Sequence, residues 1–270
     1  MTTSGTVTSK DGTTIAFDVR GEGRPLIFVD GATAYRASAP WNAETADLLA
    51  DEFRVYCYDR RGRGESTDTA PYAVEREIED LSALIDEAGG ESMVFGWSSG
   101  AVLSLDAGAA GLPISHLLAF EPPFVVDDSR PPLPTDYVEQ LETAVAQDRP
   151  GDAVALFMTA AAGMPGEAVE GMRQDPMWPG LEAIAPTIAY DGRIMGTTMS
   201  GAPLPDARWA ALTVPTLVMH GTGTFPSIVA GTQALAHLLP TATLRPVPGE
   251  NHSAPPDVLA DAIRQFAATS

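Results

Sequence analysis

Residues Val94 to Leu105 read VFGWSSGAVLSL, and the fold turns on how they are read. An apolar run ends at Gly96-Trp97, two serines follow, and beyond Gly100 the apolar spacing becomes helical, so the stretch predicts a strand, a tight turn and a helix. Gly96-Trp97-Ser98-Ser99-Gly100 is a G-x-S-x-G pattern at that strand-to-helix passage. Ser98 stands at the apex, where a Cβ two residues to either side would collide with neighbouring backbone. Ser98, rather than Ser99, is therefore the candidate nucleophile. A helix opening at Ser99 presents unpaired N–H groups, and the Ser99 amide would face the oxyanion of a tetrahedral intermediate.

Outward from this stretch the chain alternates. GTTIAFDVRG, RPLIFVDG, RVYCYD, ISHLLAFEPP, VPTLVMHG and TLRPVPG read as strands, and AETADLLADEF, AVEREIEDLSALIDEAGG, IVAGTQALAHLLP and PPDVLADAIRQFA as helices between or after them. That rhythm predicts an α/β fold, a mostly parallel sheet with helices on both faces. The rhythm breaks after about Pro123, where three helical runs and many prolines replace the strands. The expected organisation is a core of residues 1–124 and 207–270 with an inserted helical cap over 125–206.

Composition removes several function classes. With 36 acidic against 16 basic residues the net charge is −20, which opposes nucleic-acid binding because phosphates require clustered cations. The opening MTTSGTVTSKDG has no basic segment followed by an apolar run, and no apolar stretch is long enough to span a bilayer, so a cytoplasmic protein without membrane partners is expected. Cys57 is the sole cysteine and lies in a strand, as a small core residue. His116, His220, His237 and His252 lack metal-ligand spacing, so neither metal nor cofactor is expected. The partner is a small-molecule substrate, and the oligomeric state is left open.

Two further groups complete a candidate site. Asp30-Gly31-Ala32 follows a strand, where Gly31 lets the chain turn back and the Ala32 amide can serve as a second oxyanion donor; a plain turn is the competing reading. His252 lies on a loop between the last strand and the last helix, as a general base must. His116 and His237 fall inside a strand and a helix, and His220 is kept as a supporting residue.

Taken in order, DGA, YDRRGRGES, GWSSGA and NHSAPPDVLADAIRQF resemble the α/β-hydrolase superfamily over both ends of the chain. The resemblance implies the α/β-hydrolase fold, with an eight-stranded, mostly parallel sheet and a nucleophile–acid–histidine triad. One departure stands out. Relatives carry an Asp three residues after the Gly that ends the seventh strand, and here that slot is Thr224. Some members, zearalenone lactonases among them, carry the acid after the sixth strand, where this chain has Glu121; the lactonases are also similar in their DG and SSGA. Glu121 is thus the expected acid, with Asp127 and Asp128 as fallbacks and a role at the entry to the cap as the competing reading.

The expected activity is a cofactor-free serine hydrolase acting on an ester or lactone of a hydrophobic small molecule through an acyl-enzyme. Thioester, C–C and perhydrolytic chemistry remain open on the same residues, and a non-catalytic small-molecule binder is the alternative from another class. Gly31, Trp97, Phe157, Met158 and Trp178 are expected to bind substrate. Met164, Met172, Met177, Met195 and Met199 either extend that apolar roof or pack the cap onto the core. Tyr35 and Arg36 offer polar contacts to substrate or lie at the surface.

Overall fold

The computed structural model describes residues 2–269. Eight strands form one sheet: β1 (Thr2–Thr8), β2 (Thr14–Arg20), β3 (Arg24–Val29), β4 (Phe53–Tyr58), β5 (Ser92–Trp97), β6 (Ile114–Phe120), β7 (Thr216–Gly223) and β8 (Ala242–Glu250). Their spatial order is β1-β2-β4-β3-β5-β6-β7-β8. Pairings from β4 across to β8 are parallel, while β2 is antiparallel to both its neighbours. β3 and β5 are buried along most of their length, as strands covered on both faces must be.

The helices α1 (Pro40–Leu49), α2 (Val74–Glu87) and α3 (Ser99–Ala109) lie among the first strands; α4 (Tyr137–Ala146), α5 (Pro150–Leu156), α6 (Gly166–Met172), α7 (Trp178–Ile184) and α8 (Ile188–Met195) all fall between β6 and β7; α9 (Pro226–Leu238) and α10 (Pro256–Ala267) follow. Proline opens α1, α9 and α10, where its missing N–H costs nothing. One apolar layer joins α2, α3 and α9 to the sheet, and a second joins α1 and α10 to the opposite face. The helices between β6 and β7 build a third core of their own around Leu141, Val154, Trp178 and Ile188. Among the described residues no helix is long and apolar enough to cross a membrane.

The architecture agrees with the eight-stranded α/β-hydrolase fold that the resemblance implies. β1 has no counterpart among the periodic runs, because TTSGTVT is largely exposed and joins the sheet edge by pairing Thr2–Thr8 against β2 through its backbone. β8 tolerates Pro246 and Pro248 because it is the other edge strand.

Candidate active site

The loops after β3, β5, β6, β7 and β8 converge at the C-terminal ends of these parallel strands, as ligand-binding loops do in open α/β sheets. Ser98 follows β5 with φ 58° and ψ −127°, and its N–H donates to the Phe120 carbonyl at 2.9 Å. Such a conformation costs a non-glycine residue about 1–3 kcal/mol and persists only where packing enforces it. The enforcement is visible at Gly100, where a Cβ would lie 2.2 Å from the Val29 carbonyl oxygen, and at Gly31, where it would lie 2.8 Å from Ser98 Cβ. Six non-glycine residues among those described have positive φ: Thr33, Ser98, Glu121, Asp148, Asn251 and His252. All but Asp148 belong to this site, so backbone strain is concentrated where the loops meet.

Glu121 follows β6 and has no exposed surface. Its N–H donates to the Met219 carbonyl, and its carboxylate is fully engaged: the Gly221 N–H donates to Oε1 at 2.7 Å, the Thr224 hydroxyl donates to Oε2 at 3.0 Å, and His252 Nδ1 lies 2.7 Å from Oε2. Thr224, in the slot where the resemblance leads one to expect an aspartate, thus donates to the candidate acid Glu121. His252 is presented by a tight turn closed by reciprocal bonds between Glu250 and Ser253, with Asn251 and His252 both at positive φ, the pattern of a type I′ turn. Asp127 and Asp128 are exposed, and Asp127 Oδ1 accepts from the Ser129 amide and hydroxyl; neither approaches His252. His220 is buried with Nδ1 on the Gly221 carbonyl.

Ser98 and His252 line one cavity of about 680 Å³ together with Gly31, Ala32, Trp97 and Ser99. Phe157, Met158, Met195 and Met199 also line it, so part of the apolar wall comes from the segment between β6 and β7. Ser99 begins α3, where its amide has no acceptor within the helix, and the Ala32 amide has no backbone or side-chain acceptor among the described residues.

Several expected residues lie elsewhere. Trp178 does not line the cavity: it is buried in the core of the inserted helices, and its indole N–H donates to Glu182 one turn on at 2.9 Å. Met164 and Met172 pack around the same core, and Met177 is 72% exposed. Arg36 is bound by Asp18, Asp59 and Glu65, leaving it no role in the cavity, and Tyr35 is absent from the lining. Cys57 is buried, and burial pushes its thiol up to about 12, which leaves it inert.

Sequence reasoning missed a buried polar cluster beneath the site. Asp191, on α8, is 4% exposed; it accepts the Ser99 hydroxyl at 2.7 Å and Arg60 Nη1 at 2.6 Å on Oδ1, and Arg63 Nη2 at 2.5 Å on Oδ2. Arg60 is also gripped bidentately by Glu77, and Arg63 donates to the carbonyls of Gly31 at 2.7 Å and Ala34 at 3.3 Å. Burial alone would raise the Asp191 pKa, but Arg60, Arg63 and the Ser99 hydroxyl outweigh it and hold the group below the usual carboxylate range. Asp30 lies beside this cluster with its carboxylate on Asn42, and there burial wins, pushing its pKa up to about 6. The single hint in the sequence was the arginine-rich stretch YDRRGRGES, whose partners are too distant in the chain to be read locally.

A family model described as the alpha/beta hydrolase family matches residues 26–268. A solved alpha/beta hydrolase from Sphaerobacter thermophilus superposes with a TM-score of 0.88 at 50% identity, covering 97% of this chain and all of that one. A non-heme haloperoxidase from Rhodococcus erythropolis is 27% identical, covering 91% of this chain and 92% of its own. A bifunctional esterase/perhydrolase from Acinetobacter calcoaceticus is 26% identical, with 93% and 94% covered.

Proposed function

The chain belongs to the alpha/beta hydrolase family, and from that premise we propose that it is a serine hydrolase cleaving a carboxylic ester or lactone of a hydrophobic small molecule. The observation that carries this reading is the fully buried Glu121 carboxylate on His252 Nδ1 at 2.7 Å, with His252 and Ser98 facing one cavity. Glu121 fixes the imidazole so that its other nitrogen is free to take the Ser98 proton. Ser98 Oγ then attacks the substrate carbonyl, the electron pair moves to the carbonyl oxygen, and the Ala32 and Ser99 amides receive that charge. Collapse expels the alcohol, protonated by His252, and leaves an acyl-enzyme. Water, deprotonated by the same imidazole, attacks the acyl carbon and releases the acid and Ser98.

A second reading is favoured by the haloperoxidase and esterase/perhydrolase relatives: hydrogen peroxide in place of water would attack the acyl-enzyme and release a peroxy acid. The test is labelling by a fluorophosphonate probe together with turnover of p-nitrophenyl esters of increasing chain length and of aryl and macrocyclic lactones, each with and without peroxide. Labelling at Ser98 that is lost in Ser98→Ala, with ester turnover, is the expected result. A folded protein that neither labels nor turns over any ester would sink the hydrolase reading in favour of a small-molecule binder.

A further inference from the structure

Arg130 is the sole Lys or Arg among the residues lining the cavity. In a chain with 36 acidic and 16 basic residues, arginines find carboxylates easily, and Asp127 and Asp128 stand three and two positions before it. Yet Arg130 forms no ion pair among the described residues. Asp127 is occupied by Ser129, and the Arg130 guanidinium crosses to the turn at residues 157–161, donating Nη1 to the Ala161 carbonyl at 2.8 Å and Nη2 to the Ala160 carbonyl. Those bonds use two of its five N–H groups. Burial lowers its pKa and no acid nearby restores it, although a guanidinium remains charged at any working pH.

The other charges on the wall are compensated or weakened. Asp191 is held by two arginines, and Asp30 is bonded to Asn42 with its ionisation disfavoured by burial. The cavity therefore carries one unmatched cation on a wall otherwise built from groups such as Leu133, Phe157, Met158 and Met199. A half-buried cation without a partner is costly, and the planar fork of an arginine matches the two oxygens of a carboxylate bidentately.

Building on the hydrolase reading, we infer that Arg130 is a carboxylate-binding subsite, so that the substrate is an ester bearing a free carboxylate at the far end of an apolar spacer, such as a half-ester of a dicarboxylic acid. Arg130 then determines specificity and takes no part in bond cleavage.

The test compares monoethyl adipate with its neutral isostere ethyl adipamate, reading the ratio of their kcat/KM values in the native protein, Arg130→Gln and Arg130→Lys. The native ratio should favour the carboxylate by about tenfold or more, and Arg130→Gln should abolish that preference chiefly through KM, with Arg130→Lys retaining part of it. A merely structural arginine, holding the turn at 157–161, would lower both substrates by the same factor and leave the ratio intact, which overturns the inference. A readout independent of turnover is calorimetric titration of adipate into Ser98→Ala and into Ser98→Ala/Arg130→Gln. Binding to the first and not the second supports the subsite even if no ester is cleaved. Equal binding, or none to either, refutes the subsite, whereas cleavage of the neutral ester alone would leave the hydrolase reading standing without it.

Discussion

Replacing Asp191 with asparagine keeps the side chain's outline and removes one negative charge from a buried cluster of two arginines and two acids. Glu77 would still hold Arg60, but Arg63 would lose its one carboxylate among the described residues and keep Thr187 Oγ1 and the carbonyls of Gly31 and Ala34. The new amide N–H group would also face guanidinium donors. Breaking a buried pair from one side costs about 3–5 kcal/mol, a large part of the roughly 5–15 kcal/mol that holds a typical domain folded. Urea denaturation of the native protein, Asp191→Asn, Arg63→Met and the double variant measures it. The double variant should be less destabilised than the sum of the two by about 1 kcal/mol or more, because it removes a pair instead of stranding one charge. Turnover of a p-nitrophenyl ester by the folded Asp191→Asn protein should also fall, by about tenfold or more. The same carboxylate tethers Ser99, and through Arg63 the loop at Gly31, so both candidate oxyanion donors lose a support. An unchanged urea midpoint with strictly additive variants would refute the energetic argument, and unchanged kcat would refute the link to the oxyanion hole.

Ser98→Ala should abolish ester turnover, whereas Ser99→Ala should cost chiefly stability, about 1.5–3 kcal/mol, since it removes one hydroxyl from the Asp191 carboxylate and keeps the backbone amide; the reverse ranking in a p-nitrophenyl ester assay would misplace the nucleophile. Glu121→Gln should lower kcat by about 10⁴, the cost of neutralising the acid of a Ser-His-Asp triad. The side chain receives donors from Gly221, Thr224 and His252, and an amide offers only one acceptor oxygen, so near-native turnover would exclude Glu121 as the acid. Stability should depend on Asp30 in a defined window. Its unfolded carboxyl releases a proton near about pH 4 and its folded one at about 6, so the folded state binds more protons between them and stability falls as pH rises through that range. Asp30→Asn should therefore gain up to about 3 kcal/mol over the native protein above that window and almost nothing below it; a difference in urea stability that is the same on both sides would contradict the burial argument.

The parts of this molecule that could be read in advance are those whose demands are local. The elbow declares itself because Gly96 and Gly100 must stand within two residues of Ser98, and the close approach of Gly100 to the Val29 carbonyl is the physical form of that demand. Glu121 and His252 could be put near one another because each follows a strand, and strand ends are where loops of a parallel sheet meet, but it is the family resemblance that singles out Glu121 as the candidate acid. β1 was invisible because an exposed edge strand needs backbone pairing rather than alternating hydrophobics. Trp178 was misplaced for a related reason: an aromatic residue on a helix has the same periodicity whether it faces a cavity or a helical core, and only the Glu182 carboxylate one turn away hints that the indole stays inside.

Asp191 marks the limit of such reading. It lies 92 residues from the Ser99 hydroxyl that it accepts and 128 from Arg63, and nothing in the sequence around it separates it from an ordinary polar residue of a helix. Charge pairing over such separations is decided by tertiary packing. Once the pairing is known, the segment between β6 and β7 is more than a wall for the cavity: α8 delivers the carboxylate that holds the turn after β5, by way of Ser99, and the loop at Gly31, by way of Arg63. Displacement of α8 would therefore disturb both candidate oxyanion donors at once, so on the proposed reading substitutions in this segment are expected to change kcat as well as substrate preference.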